Sequence, residues 1–369
     1  MKVLVTGAKG FVGRNLVEHL KTCENIEPLE YDVDTSEVLL DCFCKDCDVV
    51  VNLAGINRTL NSEDFITGNL GVISQVIELL KKHNNNCPIV YSSSIQASLD
   101  NDYGKSKKMG EDYLFAYAKE TGNNVLIYRF PNLFGKWSRP NYNSVIATFC
   151  HNVSRGLEIT VNDRSKELTL AYIDDVVKEI MNAINGNPNK VGDFCEVPVT
   201  YNKTLGEIAD LIFKFKNSRE TLETINTADE FEKKLYSTYL SFLDKDDFGY
   251  NLNKHQDNRG SFTEILRTAN AGQFSVNVAK PGITKGNHWH HTKNEKFLVV
   301  SGEAVVKFRL PYSDEVIEYK VTGEEMRVLD IPCGYTHSIT NTGSTDAVFV
   351  IWCNECFDKD NPDTFFLEV

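Results

Sequence analysis

His288, His290 and Glu295 lie within GITKGNHWHHTKNEKFLVVSG, and His337 follows in PCGYTHSITN together with Asn341; with His291, these two stretches hold four of the chain's eight histidines. In a strand, alternate side chains share a face, so His288 and His290 project together and Glu295 returns to them across a turn. With His337 arriving from a second hairpin, three imidazoles and a carboxylate form a nitrogen-and-oxygen donor set suited to a divalent ion, zinc first among them. His291 competes with its neighbours for that role, and the same side chains can instead serve only as hydrogen-bonding groups.

A second set of residues points to carbonyl chemistry. Tyr103 and Lys107, in YGKSK, stand four apart on an expected helix and share its face. A lysine ammonium beside a phenol lowers the phenol pKa, which suits the tyrosine to exchanging a proton with a carbonyl oxygen. Ser94, closing the apolar run PIVYSSS, is placed to hydrogen-bond the same oxygen. Ahead of both, VLVTGAKGFVGRNL spaces Gly7, Gly10 and Gly13 between a strand and a helix that Phe11 and Val12 open. Glycine there lets the backbone approach a pyrophosphate, and the helix N-terminus meets it with unpaired N–H groups. Asp32, about 20 residues on, is placed to take a ribose 2′-hydroxyl and so favours NAD. Lys9 inside the glycine loop and Arg14 beyond it favour the 2′-phosphate of NADP instead.

The elements that must hold these residues follow from periodicity. Lys2–Thr6, Asp48–Leu53, Pro88–Ser93 and Val125–Phe130 read as buried strands, alternating with helical stretches at Phe11–Leu20, Val72–Lys82, Lys105–Glu120 and Leu205–Phe215. Such alternation predicts an α/β fold, with a doubly wound parallel sheet of the Rossmann type. Past Leu243 the polar stretch DKDDFGYNLNKHQDNRG leads into FSVNVAKPG, EKFLVVSG, EAVVKFRL, VIEYKV, MRVLDIP and AVFVIWC, separated by Gly, Pro and Asn. An all-β barrel or sandwich is predicted there. The expected organisation is a dinucleotide-binding domain over 1–243, a linker over 244–254 and a β-domain over 255–369.

A length of 369 residues suits two cores, and a net charge of -13 gives no basic stripe for nucleic acid or an anionic membrane surface. No apolar run approaches the roughly 18 residues of a membrane span, and MKVLVTG enters the first strand without a leader pattern, so a cytoplasmic protein is expected. The ten cysteines follow no disulfide framework. Cys42, Cys44 and Cys47 on an expected helix, and Cys353 and Cys356 at a strand end, each lack the second pair that a zinc site needs.

On TGAKGFVG, NLAG at Asn52–Gly55, SSS, YGKSK, RFPNLFG at Arg129–Gly135 and AYIDDV at Ala171–Val176, the first 243 residues resemble the extended short-chain dehydrogenase/reductase family. The resemblance implies that Ser94 and Tyr103 assist the carbonyl, that Lys107 holds the nicotinamide ribose and tunes Tyr103, and that Leu53, Ala54 and Gly55 line the cofactor. It also favours NADP(H) over NAD. Only nine positions separate Ser94 from Tyr103, fewer than the family has, so the intervening loop must be short. Ile95 and Gln96 stand where dehydrating relatives carry an Asp-Glu pair, which leaves reductase or epimerase chemistry.

The histidine stretches resemble the two signatures of the cupin superfamily, with Met326 standing where the second signature opens on glycine. DNRGSFTEI is similar to the opening motif of cupin-type epimerases of nucleotide-diphosphate 4-keto-6-deoxysugars. That likeness implies Arg259 on the diphosphate with Glu264 in the same substrate site, His288 as proton-abstracting base and Lys296 stabilising an enolate. Those enzymes usually lack a metal, so His288 stands as base or ligand. On RFPNLFGKW, PNYNSVIATFC, GITKGNHWHHTKNEKFLVVSG and FFLEV, the whole chain resembles bifunctional enzymes of capsular-polysaccharide precursor synthesis. The resemblance implies that the cupin epimerises C3 of a UDP-2-acetamido-2,6-dideoxy-4-hexulose and that the N-terminal domain then reduces C4 with NADPH. The product would be UDP-2-acetamido-2,6-dideoxy-L-talose, on the route to UDP-N-acetyl-L-fucosamine, and the enzyme a homodimer. Two other readings stand beside it: a single-activity NAD(P)-dependent reductase whose cupin serves dimerisation and substrate docking, and a non-catalytic nucleotide-sensing scaffold. Intact Ser94, Tyr103 and Lys107 speak against the scaffold.

Overall fold

The computed structural model describes residues 1–57, 59, 62–257, 260–263, 273–355 and 360–369. They form two compact units, Met1–Ser144 with Glu167–Lys203, and Val145–Lys166 with Thr204–Val369. Along the chain run β1 (Lys2–Thr6), α1 (Phe11–Lys21), β2 (Glu27–Tyr31), α2 (Glu37–Asp46), β3 (Val49–Asn52), α3 (Ser62–His83), β4 (Ile89–Ser94) and α4 (Asp102–Thr121). They continue with β5 (Val125–Phe130), β6 (Asn132–Phe134), α5 (Val145–Ser154), β7 (Glu167–Tyr172), α6 (Ile173–Ile184), β8 (Lys190–Val191), β9 (Phe194–Cys195), β10 (Tyr201–Thr204), α7 (Leu205–Thr221) and α8 (Glu230–Leu240).

In the first unit the main sheet has the order β2-β1-β3-β4-β5-β9-β8, parallel from β2 to β9. Strand alternation divides its apolar side chains between two cores. Val3 and Val5 pack with Leu16, Val17 and Leu20 of α1 and with Val176 and Ile180 of α6, whereas Leu4 packs with Leu40 of α2, Ile73, Val76 and Leu80 of α3 and Leu114 of α4. Each fully buried aliphatic side chain contributes about 2 kcal/mol of transfer free energy. The sheet is therefore covered on both faces, as the sequence periodicity predicts. Because β2 and β3 lie on opposite sides of β1, the carboxyl ends of β1 and β3 border the crevice where open α/β sheets bind ligands.

Local capping sets several boundaries. Helix α4, expected from Lys105, begins at Asp102 because Asn101 Oδ1 accepts the Gly104 N–H at 2.8 Å. Helix α7 opens on a capping box in which Thr204 and Glu207 satisfy each other's backbone amides.

The second unit carries β11 (Gly249–Asn251), β12 (Lys254–Asp257), β13 (Gly260–Thr263), β14 (Gln273–Ala279), β15 (Thr284–Trp289), β16 (Glu295–Ser301), β17 (Glu303–Arg309), β18 (Val316–Thr322), β19 (Arg327–Ile331), β20 (Thr336–Asn341), β21 (Ala347–Cys353) and β22 (Phe365–Phe366). Two five-stranded sheets have the orders β11-β19-β16-β21-β14 and β18-β17-β20-β15-β22. Their pairs are antiparallel, as the short strand spacing predicts. The sheets meet face to face: Phe297 of β16 lies 5.9 Å, ring to ring, from His337 of β20.

Helices α5, α7 and α8 belong to this second unit, although the sequence places them with the dinucleotide domain. Their burial explains it. Phe215 of α7 stacks edge-on against Tyr236 of α8 at 5.0 Å, Arg219 reaches Asp330 of β19 at 2.7 Å, and Arg155 beyond α5 donates to Phe242 O at 2.7 Å. Gly249–Asn251, expected within a linker, pair with β19 as the edge strand β11.

Candidate active sites

The glycine array sits at the turn between β1 and α1. Gly7 has φ +68°, and a Cβ there would lie 2.7 Å from Ala54 N; a Cβ on Gly13 would lie 2.0 Å from Gly7 O. Glycine is thus required at both positions by backbone proximity. Gly10 N-caps α1 with no side-chain hydrogen bond, and the first turn, opened by Phe11 and Val12, carries no acidic residue. That helix end keeps its positive potential for a phosphate. Leu53, Ala54 and Gly55 follow β3 directly; Leu53 and Ala54 lie against Gly7, and Gly55 lies beside Asn69 and Lys107.

Asp32 reaches the same corner. Its carboxylate accepts from Lys9 N at 2.7 Å and from its neighbour Val33 N at 2.9 Å. The Lys9 ammonium pairs with Asp34, a carboxylate the sequence reading passed over although it stands two residues beyond Asp32.

Ser94, Tyr103 and Lys107 converge at the carboxyl end of β4. A 3-10 turn at Ile95–Ser98 leads within a few residues into α4, so nine positions suffice to bring Ser94 against Tyr103. Gly104 makes the turn closable, since a Cβ there would fall 2.1 Å from Gln96 O. The Ser94 hydroxyl lies close enough to the Tyr103 phenol to lower its pKa. Lys107 is enclosed, donates to Ser92 O at 3.0 Å and lies 6.0 Å from the Tyr103 ring centroid. Tyr103, Lys107 and Glu111 follow one another at four-residue spacing on the buried face of α4. Glu111 accepts from Ser93 Oγ at 2.6 Å and from Arg129 at 2.8 and 2.6 Å, which locks α4 to β4 and β5.

One electrostatic expectation is corrected. Burial pushes the Tyr103 phenol up to about 12, only partly offset by the Ser94 hydroxyl, while burial lowers Lys107 to about 8. Desolvation is the larger effect, so Tyr103 holds its proton as an acid at neutral pH. Asn69, on α3, also escaped the sequence reading. It accepts from Ile56 N at 3.0 Å and donates to Ser106 Oγ at 2.9 Å, joining the loop after Gly55 to α4.

In the second unit His288, His290, Glu295 and His337 present donor atoms that all lie within 4.8 Å of one another. A bulge at Asn287, φ +57°, precedes His288 and brings it opposite His337 in the register of β15 and β20. Alternation then excludes His291, whose ring turns with Trp289 toward Phe365, 4.9 Å away. Alternation also separates Lys296 from Glu295. Lys296 projects from the opposite face of β16, where its ammonium meets Asp330 Oδ1 at 2.5 Å and Tyr250 OH at 3.1 Å, so the expected enolate contact beside His288 is not formed. Arg259 and Glu264, expected on the substrate, lie outside the described residues, as does Cys356. Asn341 holds chain segments together, donating to Ala279 O of β14 at 2.8 Å and to Thr345 O at 2.9 Å. Met326 takes φ +51°, the backbone state that favours the glycine of the cupin signature.

The donors fit a divalent cation. His290 and His337 are buried to 2% and 0% exposure, and their Nε2 atoms have no hydrogen-bond donor or acceptor partner among the described residues. The nearest charge, Glu295 Oε2, stands 3.7 Å from the first and 3.3 Å from the second. His290 Nδ1 contacts Asp363 O at 2.6 Å; a carbonyl can only accept, so Nδ1 carries the proton and Nε2 offers its lone pair to the cluster. The Asp363 carboxylate meanwhile accepts from the backbone N–H groups of His291, Thr292 and Lys293. Burial, with His337 and His290 adding to it, lowers His288 to about 3 and keeps its imidazole neutral.

A dinucleotide crevice beside a Ser-Tyr-Lys set defines the first unit's class. Residues 3–193 match the NAD dependent epimerase/dehydratase family, to which the chain belongs, and residues 255–365 match the polysaccharide biosynthesis C-terminal domain. Along its full length it is similar to UDP-2-acetamido-2,6-beta-L-arabino-hexul-4-ose reductase of Pseudomonas aeruginosa, with 44% identity over 100% of this chain and 99% of the relative. Among solved structures it is similar to the capsular polysaccharide assembling protein CapF from Staphylococcus aureus, with 52% identity, TM-score 0.69 and all of both chains covered. UDP-glucuronic acid 4-epimerase from Bacillus cereus, at 20% identity and TM-score 0.53 over 59% of this chain and 83% of that one, shares the fold.

Proposed function

We propose that this protein is a cytoplasmic, homodimeric sugar-nucleotide enzyme of capsular-polysaccharide precursor synthesis with two activities on one ketosugar. The first unit reduces the C4 ketone of a UDP-linked 4-keto-6-deoxy-N-acetylhexosamine with NADPH. The second, a metal-dependent cupin, first inverts C3, so that the final product is UDP-2-acetamido-2,6-dideoxy-L-talose. The observation that carries the reading is the convergence of Ser94, Tyr103 and Lys107 beside the Gly7–Ala54 crevice, and the reductase relative at 44% identity supports it.

The nicotinamide, when bound, supplies the hydride for C4. Gly7, Gly10, Phe11, Val12 and Gly13 would cradle its pyrophosphate, Lys9 at the adenosine corner would exchange Asp34 for a 2′-phosphate, and Leu53–Gly55 would line the remainder. Tyr103 delivers a proton to the ketone oxygen as the alcohol forms, Ser94 holds that oxygen, and Lys107 fixes the ribose and compensates the phenolate left behind. His290, Glu295 and His337 would hold a divalent ion, zinc by donor type, which would polarise the C4 carbonyl. His288 is the one member of the donor set that is not fully buried. It is therefore the imidazole a sugar can reach, and in its neutral form it takes the C3 proton, acidic because it lies α to the ketone. Return of a proton to the opposite face completes the inversion.

The test uses the purified full-length enzyme with the UDP-4-keto substrate. Consumption of NADPH is expected, and in deuterated water without reduced cofactor, deuterium enters at C3. Tyr103→Phe should abolish the first and spare the second; loss of both in that variant contradicts two separate sites.

A further inference from the structure

Cys353 lies on β21 directly opposite Glu295 of β16, the two paired in register. Its thiol donates to Glu295 Oε1 at 3.1 Å. The other carboxylate oxygen, Oε2, is the one that faces the imidazoles, 3.3 Å from His337 Nε2 and 3.7 Å from His290 Nε2. The sulfur is not among the four donors that crowd within 4.8 Å of one another. Rotation about the last bond of a glutamate is broad and intrinsically unrestrained, so the plane of this carboxylate needs an external contact to hold it.

We propose that Cys353 is a positioning residue of the metal centre: by engaging Oε1 it fixes the carboxylate plane of Glu295, so that Oε2 faces the imidazoles with which it would hold the ion. The inference rests on the metal-binding reading of the cluster. Outer hydrogen bonds to metal ligands typically contribute 10–100-fold in affinity, so loss of the donor is expected to weaken zinc binding by about tenfold or more. Serine retains an O–H donor at the same position and is expected to rescue it.

Zinc affinity of the full-length protein is measured by competition with a chromophoric chelator for wild type, Cys353→Ser, Cys353→Ala and Cys353→Val. Circular dichroism and melting of the metal-free forms establish that each is folded; the near-isosteric valine serves if alanine collapses the site. The expected order is wild type close to serine, with alanine and valine about tenfold weaker. Equal affinity in all four, or serine as weak as alanine, overturns the proposal. So does a thiolate-to-cobalt charge-transfer band in the cobalt-loaded wild type, because the sulfur would then be a ligand itself. If no form, wild type included, takes up zinc, the metal reading fails first and this one with it.

Discussion

Replacing Lys107 with methionine should stabilise the first unit at neutral pH, by an amount that fades as the pH rises. Burial lowers this lysine from 10.5 to about 8, although it donates to Ser92 O at 3.0 Å and lies 5.6 and 6.0 Å from the Tyr91 and Tyr103 ring centroids. A base whose folded pKa lies below its unfolded value destabilises the fold fully at pH below the folded value. The cost disappears as the pH climbs past the unfolded value, because the unfolded chain then gives up the same proton. The gap between the two values is worth about 3 kcal/mol at pH 7 and about 1 kcal/mol at pH 9.5. Methionine fills similar volume without charge and forfeits a hydrogen bond worth about 1 kcal/mol. The net expectation is a gain of about 2 kcal/mol at pH 7 and about none at pH 9.5. Urea unfolding of both proteins at both pH values measures it, with the first unit's transition identified in wild type by its upward shift on adding NADPH. A variant less stable than wild type at pH 7, or a difference that ignores pH, refutes the reasoning. Ketone reduction should be lost in the same variant, since the strained ammonium is kept for catalysis rather than for folding.

Gly13→Ala sets a methyl group 2.0 Å from Gly7 O and should weaken NADPH binding at least tenfold in a fluorescence titration, while zinc content of the second unit stays unchanged. His337→Gln should release the metal, whereas His288→Gln should keep it and lose deuterium exchange at C3; metal analysis beside NMR separates them. Asp363→Ala strips the acceptor from three backbone amides, at about 1–3 kcal/mol each, and should lower the melting temperature of the second unit. Burial raises the Asp363 pKa, but the facing His291 and His290 and the amides outweigh it and hold it below the ordinary 3.8. Its contribution is therefore present above that value and lost as the pH falls through the lower folded one, so wild type should approach the variant's stability in acid.

Much of both sites could be read from local pattern. Gly7 and Gly13, the four-residue step from Tyr103 to Lys107, and the two-residue step from His288 to His290 each follow from helix or strand period, which needs only neighbouring residues. The same alternation bears on one point left open and one expectation: His291 adjoins His290 and Lys296 adjoins Glu295, and adjacent residues of a strand face opposite ways. Other features had no local signal. Asp363 reaches the His290 ring from 73 positions away, Cys353 reaches Glu295 from 58, and Asn69 reaches Ser106 from 37. The Tyr103 proton affinity turned on burial, which the sequence does not state, and so the expected sign was reversed. Helices α5, α7 and α8 joined the second unit because α7 and α8 pack together and make polar contacts to the β-domain, Arg219 to Asp330 and Ser237 to Thr292 O. Residue type and spacing thus determined which chemistry this chain can carry out, since those depend on bond geometry alone. Tertiary structure decided which groups meet, how dry they are and therefore how they titrate, because contacts between distant segments and exclusion of water exist only once the chain is packed.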